Sequence, residues 1–150
     1  MAGASISLRR LVSYASCLWA VVFGAPHLWW ALGVSAGFPG GQANYDFFMG
    51  SAWRYVYDLI VVVCSALALL VSLALLRPPE QLTRRWIPLT LAWIACGLLT
   101  VRGTGGWIID GISHPYWTGM FSVGGILLGG VAWLAREPRR PRFSGHDGAG

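Results

Sequence analysis

Two ionisable side chains, His27 and Asp58, lie several residues inside long apolar stretches. Such a group within a membrane span is a functional hypothesis by default, because its charge is costly in hydrocarbon. A histidine and a carboxyl at a common depth form an acid–base pair that can protonate a double bond, so His27 and Asp58 are the catalytic candidates. The rings of Trp19, Phe23, Trp30 and Trp93 offer π faces to a developing cation or an apolar wall to a ligand. With Arg54, Arg102, Asp110 and His114 at the same end, they make up the ligand-binding candidates. Each residue also has a plainer reading. Arg54, one turn above Asp58, can pair with it and make it a bundle fastener. His27 can be an interfacial residue bonded to a carbonyl freed by Pro26. The partner of Asp58 is therefore open: Arg54, His27 or none. His27, Asp58, Asp110 and His114 are too scattered for a metal site, and no metal or other cofactor is expected. No phosphate-cradling loop, nucleophile elbow, HExxH or haem-attachment motif occurs.

These residues are carried by a chain of 150 residues that is 55% hydrophobic and only 11% charged. Soluble domains carry about 25% charged residues, and the mean hydropathy here is +0.56, so a soluble globule is excluded in favour of a small integral membrane protein. Crossing a bilayer takes roughly 20 apolar residues in a helix. Four stretches qualify, at about 11–33, 55–76, 86–103 and 117–135, the third being the shortest. The expected fold is all-α, a four-transmembrane-helix bundle over 1–135, with 136–150 a basic, disordered tail. The net charge of +5 comes from eleven arginines and no lysine. Arg9, Arg10, Arg77, Arg84, Arg85, Arg136, Arg139, Arg140 and Arg142 fall on one side of the spans and only Arg54 and Arg102 on the other. The positive-inside rule then puts both termini in the cytoplasm of a multi-pass cell-membrane protein. A cleaved leader ending at Gly24-Ala25 is the rival reading of the first span, disfavoured by Pro26 and by the apolar run beyond it.

Small residues at four-residue spacing mark where helices touch in lipid. Ser16, Ala20 and Gly24, then Cys64, Ala68 and Ser72, then Gly125 and Gly129 are such runs, with Gly124 and Gly130 thinning the last helix further. Cys17, Cys64 and Cys96 lie in different spans without a CxxC pair and read as packing residues. Most tryptophans fit an interfacial belt, but Trp19 and Trp93 lie deeper and either fill the core or line a cavity. Three stripes at helical spacing are expected to turn inward: Trp19, Phe23, His27 and Trp30; Asp58, Ser65 and Ser72; and Trp86, Thr90, Trp93, Gly97, Thr100 and Thr104. Arg102 lies about 180° from Trp93 and points away from the third stripe, unless the helix has unwound by Gly103. The glycines from Gly37 to Gly41 read as a flexible loop.

The run His27-Leu28-Trp29-Trp30-Ala31-Leu32-Gly33, the Arg102-Gly103-Thr104-Gly105 segment and Tyr116-Trp117 leading through Phe121 to Gly124-Gly125 resemble a family of small four-span bacterial membrane proteins of unknown function. Val34 stands where that family has a second glycine, which puts the turn after the first helix in question. The resemblance implies the four-helix topology and points to the His27 and Arg102 neighbourhood, and it implies no activity.

Three function classes remain. The first is a non-catalytic protein with an outward-facing, aromatic-lined pocket for a lipophilic ligand. The second is a cofactor-independent isomerase or cyclase acting on an isoprenoid or sterol-like substrate by acid–base chemistry, an analogy of architecture alone. The third is an accessory subunit of a larger membrane complex. Membrane lipids are partners in each, with the arginine tail held to the anionic inner leaflet; nucleic acid is not, because the basic surface is too small.

Overall fold

The computed structural model describes residues 2–77, 84–109 and 115–136. Its helices are α1 (Ala2–Ala31), α2 (Gly41–Met49), α3 (Ala52–Leu76), α4 (Trp86–Ile109) and α5 (Pro115–Arg136). Four contain segments long and apolar enough to cross a membrane: Leu8–Ala31, Ala52–Leu76, Trp86–Ile109 and Thr118–Arg136. The protein is thus an all-helical, multi-pass membrane protein. The disordered tail expected over 136–150 lies outside the described residues beyond Arg136, as do Asp110 and His114.

Lipid gives no hydrophobic drive for helix association, so close packing and interhelical hydrogen bonds must hold the bundle. Helix α1 packs on α3 and α5, α4 packs on α5, and a smaller α3–α4 contact closes the ring. The α1–α3 seam runs antiparallel through small and polar residues. Ser16 and Ser72 share a buried 2.8 Å hydrogen bond, and a Cβ at Gly24 would lie 2.6 Å from that of Ser65. Cys64 was expected on this seam but is exposed; Ser65, one residue on, takes its place. Helix α5 is thinned on two sides. Gly125 and Gly129 admit Thr100 and Cys96 of α4, whereas Gly124 and Gly130 admit Trp19 and Val12 of α1.

The third span overturns two expectations. It runs to Ile109, not Gly103, so it is not short, and Arg102 lies within a continuous helix. The stripe Trp86, Thr90, Trp93, Gly97, Thr100 and Thr104 is exposed, with Thr100 alone bordering α5 at Gly125. The buried line is Ala92, Gly103 and Gly106, with Cys96 and Leu99 half-buried between them, one residue earlier in register. Backbone approach decides this: Gly103 and Gly106 lie so near Ser122 and Thr118 that a Cβ would fall 2.6 and 2.9 Å from their hydroxyl oxygens. Threonine and tryptophan tolerate a lipid-facing position; a close helix crossing does not tolerate bulk.

At the arginine-bearing end, two arginines cap neighbouring helices. Arg9 donates to the carbonyls of Leu75 and Arg77 at the end of α3, and Arg85 to that of Ala135 at the end of α5. Cationic groups there complement the negative helix terminus. At the other end, Gly33 (φ 93°) closes α1. Its N–H donates to Trp30 and that of Val34 to Trp29, a Schellman turn that needs glycine only at the left-handed position. Val34 is therefore compatible with this turn.

Candidate functional site

His27 lies one residue past Pro26 on α1, and Asp58 lies almost two turns into α3. The α1–α3 seam brings them together: His27 Nδ1 is 2.5 Å from Asp58 Oδ1, with Asp58 2% and His27 8% exposed. Of the two partners open to Asp58, it is His27 that the structure pairs with it. Arg54 turns the other way, donating to the Phe47 carbonyl at 3.1 Å with its guanidinium 3.9 Å above the Phe47 ring. The other carboxylate oxygen, Asp58 Oδ2, is buried without a hydrogen bond among the described residues.

The α1 stripe forms a ladder of rings. Trp19 stacks on Phe23 at 5.2 Å between centroids, the Phe23 edge meets His27 at 5.1 Å, and His27 meets Trp30 at 5.2 Å. Trp19 is core: its indole N–H donates to the Met120 carbonyl at 2.9 Å, which satisfies a group that would otherwise be stranded in hydrocarbon. Arg102 joins indirectly, 5.0 Å over the Phe121 ring, which in turn meets Phe23 at 5.2 Å. It points away from the Trp93 stripe as expected, on a helix that does not unwind. Trp93 does not belong to this group. It sits at the opposite end on the outer face of α4, beneath the Arg136 guanidinium.

Sequence reasoning missed the cap over this end. Phe38 packs against Trp30 at 4.9 Å and against Tyr45 at 5.4 Å, and the buried Tyr45 hydroxyl donates to the Trp30 carbonyl at 3.0 Å. The glycine-rich segment is a loop up to Gly40, as expected, and it carries Phe38 into this cap. Gly37, Gly40 and Gly41 adopt positive φ and turn the chain into α2. The signal available was the aromatic spacing of Tyr45, Phe47 and Phe48 directly after the glycines.

Beside the ladder runs an open groove of about 750 Å³, lined by residues that include Phe23, Pro26, Trp29, Trp30, Pro39 and Tyr116. Among the sequence candidates, Phe23 and Trp30 line it; Trp19, His27, Asp58, Arg54 and Arg102 do not. Pro26 has no N–H to return to the Val22 carbonyl, one turn earlier on the same groove wall. The wall is therefore apolar and aromatic, with one backbone acceptor lacking its helical donor. No group of His, Cys, Asp and Glu able to hold a metal ion occurs among the described residues. No family model, curated protein or solved structure matches the chain.

Proposed function

We propose that this protein binds a lipophilic small molecule in the groove beside Trp30, as a binding protein and not as a catalyst. One observation carries the reading: Phe23 and Trp30 line the groove, and the same two rings grip the His27 imidazole from either side. The hydrogen-bonded pair thus stiffens an aromatic wall, and binding to a wall already in place loses less ordering entropy. Acid–base turnover on an isoprenoid would need His27 or Asp58 at the groove surface, where Phe23 and Trp30 stand instead. With both termini cytoplasmic, as the arginine distribution argues, the groove opens within the outer leaflet.

The test is native mass spectrometry with lipid extraction, on wild type beside Ala25→Phe. Ala25 is exposed and lines the groove, so a phenyl ring there fills space without entering the core. Wild type is expected to retain a lipophilic molecule that the variant loses. Equal retention, or an empty wild type, overturns the proposal.

A further inference from the structure

The arginine-bearing end holds a second hollow of about 400 Å³, lined by Leu89, Thr90 and Trp93 of α4 and Arg136 of α5. Arginines at this end are used differently. Arg9 and Arg85 are committed to helix-terminal carbonyls. Arg136 makes no hydrogen bond among the described residues; its guanidinium carbon lies over the Trp93 ring at 5.8 Å and over the Trp133 ring at 6.0 Å from their centroids. A cation–π approach uses none of the guanidinium N–H groups, and these form a fork that matches phosphate oxygens two at a time. Thr90, which carries a hydroxyl, lines the same hollow.

Depth narrows the source of the phosphate. Thr90 and Trp93 lie four and seven residues into α4, about 6 and 10 Å along its axis, near the boundary between headgroups and acyl chains. Deeper on the same exposed stripe, Gly97 has nothing within 4 Å of where its Cβ would stand, so the helix surface is open there. A free anion has no use for an exposed apolar stripe below its site, whereas the acyl chain of a lipid lies along one.

We propose that this hollow is a binding site for the phosphate of an anionic phospholipid. Arg136 supplies the fork, Thr90 supplies a further donor, and an acyl chain passes Trp93 along Gly97. The site lies at the opposite end from the groove and is independent of its occupant.

Native mass spectrometry of the detergent-purified protein, titrated with phosphatidylglycerol or phosphatidylcholine, tests this. Wild type is expected to prefer phosphatidylglycerol. Arg136→Gln should weaken that binding about tenfold or more, the weight of charge-assisted hydrogen bonds. Arg136→Lys should fall between the two, because it keeps the charge and loses the fork. Arg140→Gln removes the same charge four residues further along the chain and should change little. Millimolar inorganic phosphate should leave the lipid bound. Thr90→Val, at an exposed position, gives a second reading should Arg136→Gln fail to fold, with an expected loss of about threefold, the weight of one neutral hydrogen bond. An equal loss in Arg140→Gln would show diffuse attraction, displacement by inorganic phosphate a free-anion site, and equal binding of the two lipids no headgroup recognition; each overturns the proposal.

Discussion

Replacing His27 with alanine tests the pair directly. In the wild type the carboxylate of Asp58 has a single hydrogen-bond partner among the described residues, the imidazole 2.5 Å away. His27→Ala leaves both carboxylate oxygens buried without a donor on a side chain only 2% exposed. Breaking a buried charged pair from one side costs about 3–5 kcal/mol. Hydrogen bonds between membrane helices average only about 0.6 kcal/mol, because the unfolded chain in lipid also finds partners. The larger figure should win here, since His27→Ala leaves a fully buried carboxyl group with no hydrogen-bond partner among the described residues. Asp58→Ala should cost less, about 1–3 kcal/mol, since it takes one hydrogen-bond partner from the His27 ring and leaves no carboxyl group buried. The double variant has no stranded group and should be less destabilised than His27→Ala alone. Unfolding in mixed micelles by sodium dodecyl sulfate, followed by tryptophan fluorescence, completes the cycle. A loss below about 1 kcal/mol for His27→Ala, or additive singles, would refute the reasoning by showing that Asp58 has another partner.

Other consequences follow from the same packing. Gly124→Ala would set a Cβ 2.2 Å from the Trp19 ring, which its bond to Met120 holds in place; a loss of about 1–3 kcal/mol is expected in the same titration. Gly97→Ala meets nothing within 4 Å and should be neutral or stabilising by up to about 1 kcal/mol, from helix propensity alone. Arg54→Ala should free α2 and raise amide exchange across Gly41–Met49 while leaving exchange around Asp58 unchanged, because Arg54 reaches Phe47 and not the carboxylate. Arg85→Ala removes a donor from the end of α5 and should cost about 0.3–1 kcal/mol, with faster exchange in the last turn of that helix.

How far the sequence could be read depended on how strongly each residue constrains its helix. The α1 and α3 stripes were legible because histidine, aspartate and serine inside otherwise apolar helices have few choices but to face another helix. Helix α4 offered only threonine, glycine and tryptophan. Such residues lie in lipid at little cost, so their periodicity did not define the buried face, and the true seam fell one residue earlier, along Ala92, Gly103 and Gly106. The cap was hidden for another reason. Gly40 and Gly41 carry the composition of a flexible connection, yet their positive φ values are what turn the chain so that Tyr45 and Phe38 reach Trp30. Pairing of Asp58 with His27 over Arg54 was also illegible, since it depends on α2 presenting the Phe47 carbonyl to the guanidinium.

On the proposed reading, a non-catalytic binder has no evident need of a costly buried pair, and the ladder supplies one. Phe23 and Trp30 would otherwise be two rings on a helix face next to a proline, where Pro26 removes a backbone hydrogen bond and weakens the turn. The imidazole wedged between them is fixed by Asp58 on a different helix, and Trp30 is fixed again from above through Phe38 and Tyr45. The groove wall is thus anchored to α3 below and to the cap above. If that anchoring is the purpose of the pair, Asp58→Asn should weaken ligand retention without touching the groove, because it keeps the acceptor towards His27 but loses the charge that strengthens the bond. The loss should appear as faster ligand release with an unchanged mass for the bound molecule. Release at the wild-type rate from a folded Asp58→Asn variant would separate the pair from the groove and leave it a bundle fastener alone.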